Sequence, residues 1–208
     1  MYIPSFNRVE DPRTIRAFLH AHGFATLVTQ EDGRMQASHL PVLLDESQQG
    51  DSLRGHMARA NGQWKSFDGV REVLCIFHGP HAYISPSWYE AKVAVPTWNY
   101  AAAHVYGVAR VETDAAFMLK MLRDTTSKYE SGMPSPWGMD LPKDYMESMM
   151  RAVVAFSIRI TRIEAKFKFG QNRSPEDQAG VLRGLEGSGD PESRRLAGMI
   201  RRQGGGSG

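Results

Sequence analysis

Four short stretches carry residue types suited to holding a flat, anionic ligand. Residues 79–100, GPHAYISPSWYEAKVAVPTWNY, place Trp88, Tyr89, Trp98 and Tyr100 within thirteen positions. Aromatic rings offer planar apolar faces, and Ser85, Thr97, Asn99 and the nearby histidines offer polar handles beside them. A packed loop closing the end of a sheet is the plainer reading of the same residues. In residues 52–67, SLRGHMARANGQWKSF, a strand delivers His56, then Arg59, then Asn61-Gly62, which caps a short helix containing Trp64. Unpaired N–H groups at a capped helix start and a guanidinium suit a phosphate, although a simple cap with a solvent-facing arginine fits equally. Ser38-His39, inside QASHLP, could bond the edge of a heterocycle, or His39 could be a satisfied core histidine. With alternating side chains, one of the pair points inward and the other outward. In KFGQNR, residues 168–173, Lys168 and Arg173 bring cations and Gln171 both a donor and an acceptor, unless the segment only caps the helix that starts at Ser174.

Other chemistries find no support. His78 and His81 have metal-ligand spacing, but no carboxylates or cysteines stand nearby to complete a site. GxSxG, HExxH and Walker A patterns are absent, and GLEGSG (184–189) follows a helix rather than a strand, so it is no dinucleotide fingerprint.

These residues need a scaffold that the pattern of strands and turns supplies. Asp11-Pro12 opens a helix with Ile15, Phe18 and Leu19 on one face, stopped at Gly23. Strands are predicted at 24–30, 35–45, 52–58, 71–77 (buried on both faces), 81–84, 99–113 and 152–169, the last with a break near Glu164. Asp32-Gly33 is a hairpin turn, and Pro41 implies an edge or a bulge. The prolines at 80, 86 and 96 predict that residues 79–100 form mostly a rigid loop. Helices are predicted at 114–129, 144–150, 174–185 and from Asp190 onward. Strands joined by turns, followed by helices, indicate a mainly β (α+β) antiparallel barrel with helical additions.

At 208 residues and 41% hydrophobic content, the chain can bury a full core. One domain is expected over residues 1–203, with 204–208 as a flexible tail. One cysteine, Cys75, excludes an intrachain disulfide or a cysteine metal cluster. With no apolar run of membrane-spanning length and no secretory signal pattern at the start, a cytoplasmic protein without membrane contact is expected. Net charge is +2, but residues 151–208 hold 11 Lys/Arg against 6 Asp/Glu. Such a basic end can touch DNA or can be a solvated helical face.

In their order along the chain, MYIP, ATLVTQ, ASHLP, LRGHMARAN, GPHAYISPSWY, VPTWNYAA and QNR resemble the PaiB-like FMN-binding negative transcriptional regulators. The resemblance runs from Met1 to about Ala197. It departs at GQNRS (170–174), where SQNRP is usual. It implies an FMN-binding split barrel related to pyridoxamine phosphate oxidases and flavin reductases, a homodimer with flavin at the subunit interface, and repression of transcription. By position, Arg59, Asn61 and His56 then become the phosphate and ribityl site, and Ser38 and His39 contacts to the ribityl chain or pyrimidine edge. Trp88, Thr97, Trp98 and Asn99 would wall the isoalloxazine, while Lys168, Gln171 and Arg173 would reach the partner's flavin. Three functions follow: a flavin-controlled regulator or redox sensor, an NAD(P)H-using flavin oxidoreductase, or a DNA-binding repressor with incidental flavin. No recognition helix stands out for the last.

Overall fold

A computed structural model describes residues 1–204, so the tail expected over 204–208 lies outside the described residues from position 205 on. Seven strands form one sheet: β1 (Arg8–Val9), β2 (Phe24–Glu31), β3 (Arg34–Asp45), β4 (Ser52–Ala58), β5 (Asp68–Ile84), β6 (Thr97–Glu112) and β7 (Val153–Lys168). Their order is β1-β7-β4-β3-β2-β5-β6, and β6 also pairs with β7. The hydrogen-bonded sequence β7-β4-β3-β2-β5-β6 therefore returns to its start, the antiparallel barrel expected from the sequence. Helices α1 (Pro12–Ala21), α2 (Ala115–Glu130), α3 (Lys143–Ala152), α4 (Pro175–Glu186) and α5 (Pro191–Gly204) are the additions. No helix among the described residues is long and apolar enough to cross a membrane.

The chain clusters into two compact units. One comprises residues 16–77 and 104–163; the other comprises, among the described residues, 1–15, 78–103 and 164–204.

In the first unit, turn chemistry sets the register. Asp32 and Gly33 both have positive φ (48° and 74°), the twist-matched two-residue turn that brings Glu31 opposite Arg34 and Leu27 opposite Ser38. Along β3, Phe24–Pro41 is the last pair made with β2, and Val42–Gly55 is the first made with β4. Pro41 thus sits at a change of partner inside the sheet rather than on an edge strand, where a missing N–H is tolerated. Leu27, Val42, Leu44, Leu53, Met57, Cys75, Phe77, Phe156 and Ile158 build the interior, with Phe67 edge-on to Phe156 at 5.4 Å. A Cβ on Gly107 would lie 2.5 Å from the Arg159 carbonyl oxygen, so the β6–β7 approach requires glycine there. On the outside, Met118 and Met121 of α2 cover Ala155, joined by Met150 of α3. Asp114 caps α2, its carboxylate accepting from the Ala116 and Phe117 N–H groups.

The second unit holds β1, parts of β5, β6 and β7, and the pair α4–α5, which pack on each other. Val181, Leu185, Leu196, Ala197 and Met199 are buried there.

Three expectations are corrected. Residues 71–77 and 81–84 are one continuous strand, β5, and 97–100 belong to β6, so only 85–96 remain between strands. Pro80 does not break β5. The pairing Thr26–Ile76 puts it beyond the first residue of β2, so no bond to that strand is lost. Burial alternates through Val73, Cys75 and Phe77, then Gly79 and Pro80 are both buried and the alternation shifts phase to Ala82 and Ile84. Residues 71–77 are therefore buried on one face, not both, because one side of the barrel wall is solvated. The expected break near Glu164 is likewise not a break in β7, which runs unbroken for 16 residues.

Candidate functional site

In the first unit, β3 and the turn after β4 bring two predicted residues together. Ser38 shares the interior face with Leu27, its cross-strand partner. Asn61 caps the 3-10 turn Gly62–Ser66, its Oδ1 accepting from the Gln63 N–H at 3.1 Å. Its Nδ2 donates to Ser38 Oγ at 2.8 Å. The capped element is the short helix expected from the sequence, a 3-10 helix containing Trp64, and it ends where Phe67 leaves helical geometry ahead of β5. Gln63, which the sequence reading passed over, is fully buried. Its Nε2 reaches the carbonyls of Leu27 and Gln36 and the hydroxyl of Thr29, tying the turn to β2 and β3.

The neighbouring predicted residues go elsewhere. Arg59 is exposed, and its Nε and Nη2 donate to the carbonyls of Arg151 and Val153 at 2.7 and 2.9 Å. Two of its five N–H donors are thereby committed. His39 is on the outer face, 3.0 Å from Thr26 Oγ1 and stacked on Phe24.

His56 lies opposite Ala155, under α2, on the sheet face away from Ser38 and Asn61. Its Nδ1 is buried without a hydrogen-bond partner, and burial holds its pKa below the ordinary value of 6.5. The folded state therefore binds this proton more weakly than the unfolded chain. Stability on this account is complete above about pH 6.5 and falls as the pH drops through that value. Urea midpoints measured at pH 7.5 and 5.5 are expected to fall on acidification for the native chain and to fall less for His56→Leu. Equal slopes for the two would remove His56 from the pH response. The Cys75 thiol is fully buried and pushed up to about 12, so it stays protonated and supplies no nucleophile.

In the second unit, β5 and β6 set an aromatic face. Trp98 lies 6.1 Å from His81 and 6.2 Å, edge-on, from Tyr83, and both Trp98 and Tyr83 are about half exposed (54% and 48%). Two lysines of β7 reach the flanking residues Thr97 and Tyr100 of β6. Lys168 Nζ donates to Thr97 Oγ1. Lys166, another residue the sequence reading missed, is buried and sits 5.2 Å from the centre of the Tyr100 ring, donating to the Tyr2 carbonyl. Burial lowers the Lys168 pKa, with the Lys166 ammonium acting in the same direction and Tyr100 against it. The half-exposed aromatic face suits a flat ligand.

Of the remaining predicted residues, Asn99 is buried beside Gly170. Gln171 is occupied locally: its Oε1 accepts from the Phe169 N–H and its Nε2 donates to the Phe167 carbonyl. The Arg173 guanidinium lies 4.6 Å from the Tyr89 ring. Trp88 packs on α4, where a Cβ at Gly184 would come within 2.3 Å of the indole. No group of three or more His, Cys, Asp or Glu among the described residues is arranged to hold a metal ion.

Taken separately, each unit holds groups of a kind that flavin mononucleotide requires: hydroxyl, amide and guanidinium groups in the first, and an exposed aromatic face in the second.

Comparison with known proteins supports the same cofactor. A chain from Bacillus subtilis (strain 168) named "Protease synthase and sporulation protein PAI 2" is 36% identical over 203 residues, covering 96% of each chain. An uncharacterized protein of Emericella nidulans is 33% identical over 207 residues, covering 82% of each. Among solved structures, the flavocytochrome Anf3 from Azotobacter vinelandii superposes with a TM-score of 0.64 at 19% identity, over 86% of this chain and 78% of that one. An FAD and heme binding protein from Mycobacterium smegmatis gives 0.59 at 16% identity, over 83% and 79%. Identities this low show a shared fold, the split barrel. The family model described as "Putative FMN-binding domain" matches residues 1–162, most of the chain, and the chain belongs to that FMN-binding family.

Proposed function

We propose that this protein is an FMN-dependent regulator or redox sensor that works as a homodimer. The observation that carries the reading is the half-exposed aromatic face of His81, Tyr83 and Trp98. It presents planar apolar surface of the kind a flavin ring requires, one residue along β6 from the Thr97 that Lys168 bonds. When bound, FMN supplies the electron chemistry, and the protein sets how readily it is reduced. The chain's own part is to hold the ligand. Ser38, Asn61 and Arg59 take the ribityl phosphate, whereas His39 faces outward from β3 and His56 lies beneath α2, so neither joins this group. Thr97, Trp98 and Asn99 border the ring together with Trp88, and Lys168, Gln171 and Arg173 extend toward a partner's flavin. The homology to the PAI 2 protein supports a regulatory output.

The dimer reading rests on the outer face of β2, β3 and β5 in the first unit. Val28 stands opposite both Ala37 and Leu74, and Thr26 opposite both His39 and Ile76, with Phe24 and Met35 66% and 68% exposed beside them. An apolar face of this kind on a barrel wall suits a second copy.

A second reading, an NAD(P)H-using flavin oxidoreductase, is favoured by the exposure of Trp98 and Tyr83, which leaves surface for another planar ligand. Direct DNA binding through α5 draws less support. Arg201 pairs with Glu186 and Arg195 with Glu192, while Arg194 donates to the Ser188 carbonyl, so these arginines already have partners.

The test is FMN uptake by the full chain. Purified protein soaked in FMN and desalted is expected to retain a flavin absorbance band at about one flavin per chain and to sediment as a dimer. Retained flavin without NAD(P)H consumption under air supports the sensor, and steady consumption supports the oxidoreductase. A colourless desalted sample overturns both.

A further inference from the structure

The segment that follows β5 is fastened to α4 by a set of contacts along one side of the helix. Asp177, in the first turn, is only 4% exposed. Its Oδ1 accepts the backbone N–H groups of Glu90 and Ala91 at 2.9 and 3.2 Å. One turn further along, Gly180 faces the Trp88 carbonyl oxygen, and one turn beyond that, Gly184 faces the Trp88 indole. Arg183 adds a looser ion pair to Glu90 at 3.7 Å. Helical spacing places 177, 180 and 184 on one stripe. The two glycines let the stripe approach, and the carboxylate fixes the backbone that approaches it. Charge-assisted bonds from a buried carboxylate to two amides are the strong element of this set. The family model ends at residue 162, before α4 begins, so the match does not account for this arrangement.

We propose that Asp177 is a positioning residue for the flavin site: by holding residues 90–91 it fixes Trp88, and with it the part of the ring wall between β5 and β6. The proposal rests on the flavin reading above. A segment with Pro86 and Pro96 but little regular structure would otherwise have to be ordered when ligand binds, and ordering it beforehand raises affinity. The carboxylate acts through the backbone of residues 90–91 and touches neither ring nor phosphate.

The test compares Asp177→Ala, Asp177→Asn and Ala91→Pro with the native chain. It reads hydrogen exchange across residues 86–96 without ligand, and the FMN dissociation constant by flavin fluorescence. Asparagine keeps the Oδ1 acceptor, whereas Ala91→Pro removes one donor and leaves α4 untouched. Asp177→Ala is expected to speed exchange at Glu90 and to weaken FMN binding by about tenfold, the loss of roughly one such bond. Asp177→Asn, which keeps the acceptor and loses the charge, is expected to fall between the native chain and Asp177→Ala on both readouts, and Ala91→Pro to weaken FMN in the direction of Asp177→Ala. Unchanged exchange in Asp177→Ala overturns the latch. Faster exchange with unchanged FMN affinity overturns its positioning role, as does an Asp177→Asn chain that behaves like alanine. A native chain that takes up no FMN overturns the flavin reading itself, and the exchange measurement, which needs no flavin, still decides whether Asp177 holds the segment.

Discussion

Gly180→Ala is expected to destabilise the protein by about 2–3 kcal/mol, the upper part of the usual cost of overpacking. An ideal Cβ at this position lies 2.0 Å from the Trp88 carbonyl oxygen. That oxygen belongs to the backbone and cannot swing aside as a side chain can. Either α4 or the segment at Trp88 must move, and Asp177 holds the two together one turn away. In an exposed helix interior the same change would stabilise by up to about 1 kcal/mol, because alanine has the higher helix propensity. The sign alone therefore decides. A urea midpoint equal to or above that of the native chain would show that α4 and Trp88 are not in contact in solution. Gly184→Ala is the companion variant, and a smaller loss is expected from it because its obstacle is the Trp88 indole, which can rotate.

Arg59→Ala should weaken FMN binding by about 1.5–3 kcal/mol, the worth of a charged hydrogen bond, which is roughly ten- to a hundredfold in dissociation constant. The geometry both supports and complicates this. The guanidinium is exposed and keeps N–H donors beyond the two spent on the Arg151 and Val153 carbonyls. Those same bonds join the end of β4 to the start of β7, so alanine also removes a structural tie. The two roles separate in a comparison of ligand forms. A phosphate contact penalises FMN and leaves riboflavin, which lacks the phosphate, almost unaffected. A structural loss weakens both by the same factor. Equal affinity of native and variant chains for FMN would show that Arg59 does not meet the phosphate.

Most strands and helices were legible because their signals are local. Asp32-Gly33 announces its hairpin through two left-handed residues, and Asp114 and Ser174 announce helices through their capping oxygens. The error at 79–100 came from a local rule applied without its partner strand. Proline excludes itself from a strand only where the N–H would have been bonded, and the end of β2 relieves Pro80 of that demand toward β2. The motif residues were equally visible as types. Their pairing was not: nothing in the spacing of Ser38 and Asn61 says that they meet, nor that His56 faces away from them beneath α2. Gln63 and Lys166 escaped notice because an uncharged amide in a turn and a lysine in a strand carry no signal until burial gives them partners. In the sequence Asp177 is one of two acids in the first turn after Ser174, and nothing local distinguishes it from Glu176. The i, i+4 spacing of Gly180 and Gly184 was the one available hint of a close approach to α4.

By itself the amino-acid order determined the antiparallel barrel, its helical additions and the kind of ligand its side chains can hold, since propensity, turn geometry and residue chemistry act over a few neighbouring positions. Tertiary structure alone decided which of those side chains share a face, which are spent on backbone carbonyls, and that α4 grips the residues after Trp88. Those outcomes depend on contacts between positions as far apart as Glu90 and Asp177, and such contacts come into being only when the chain closes on itself.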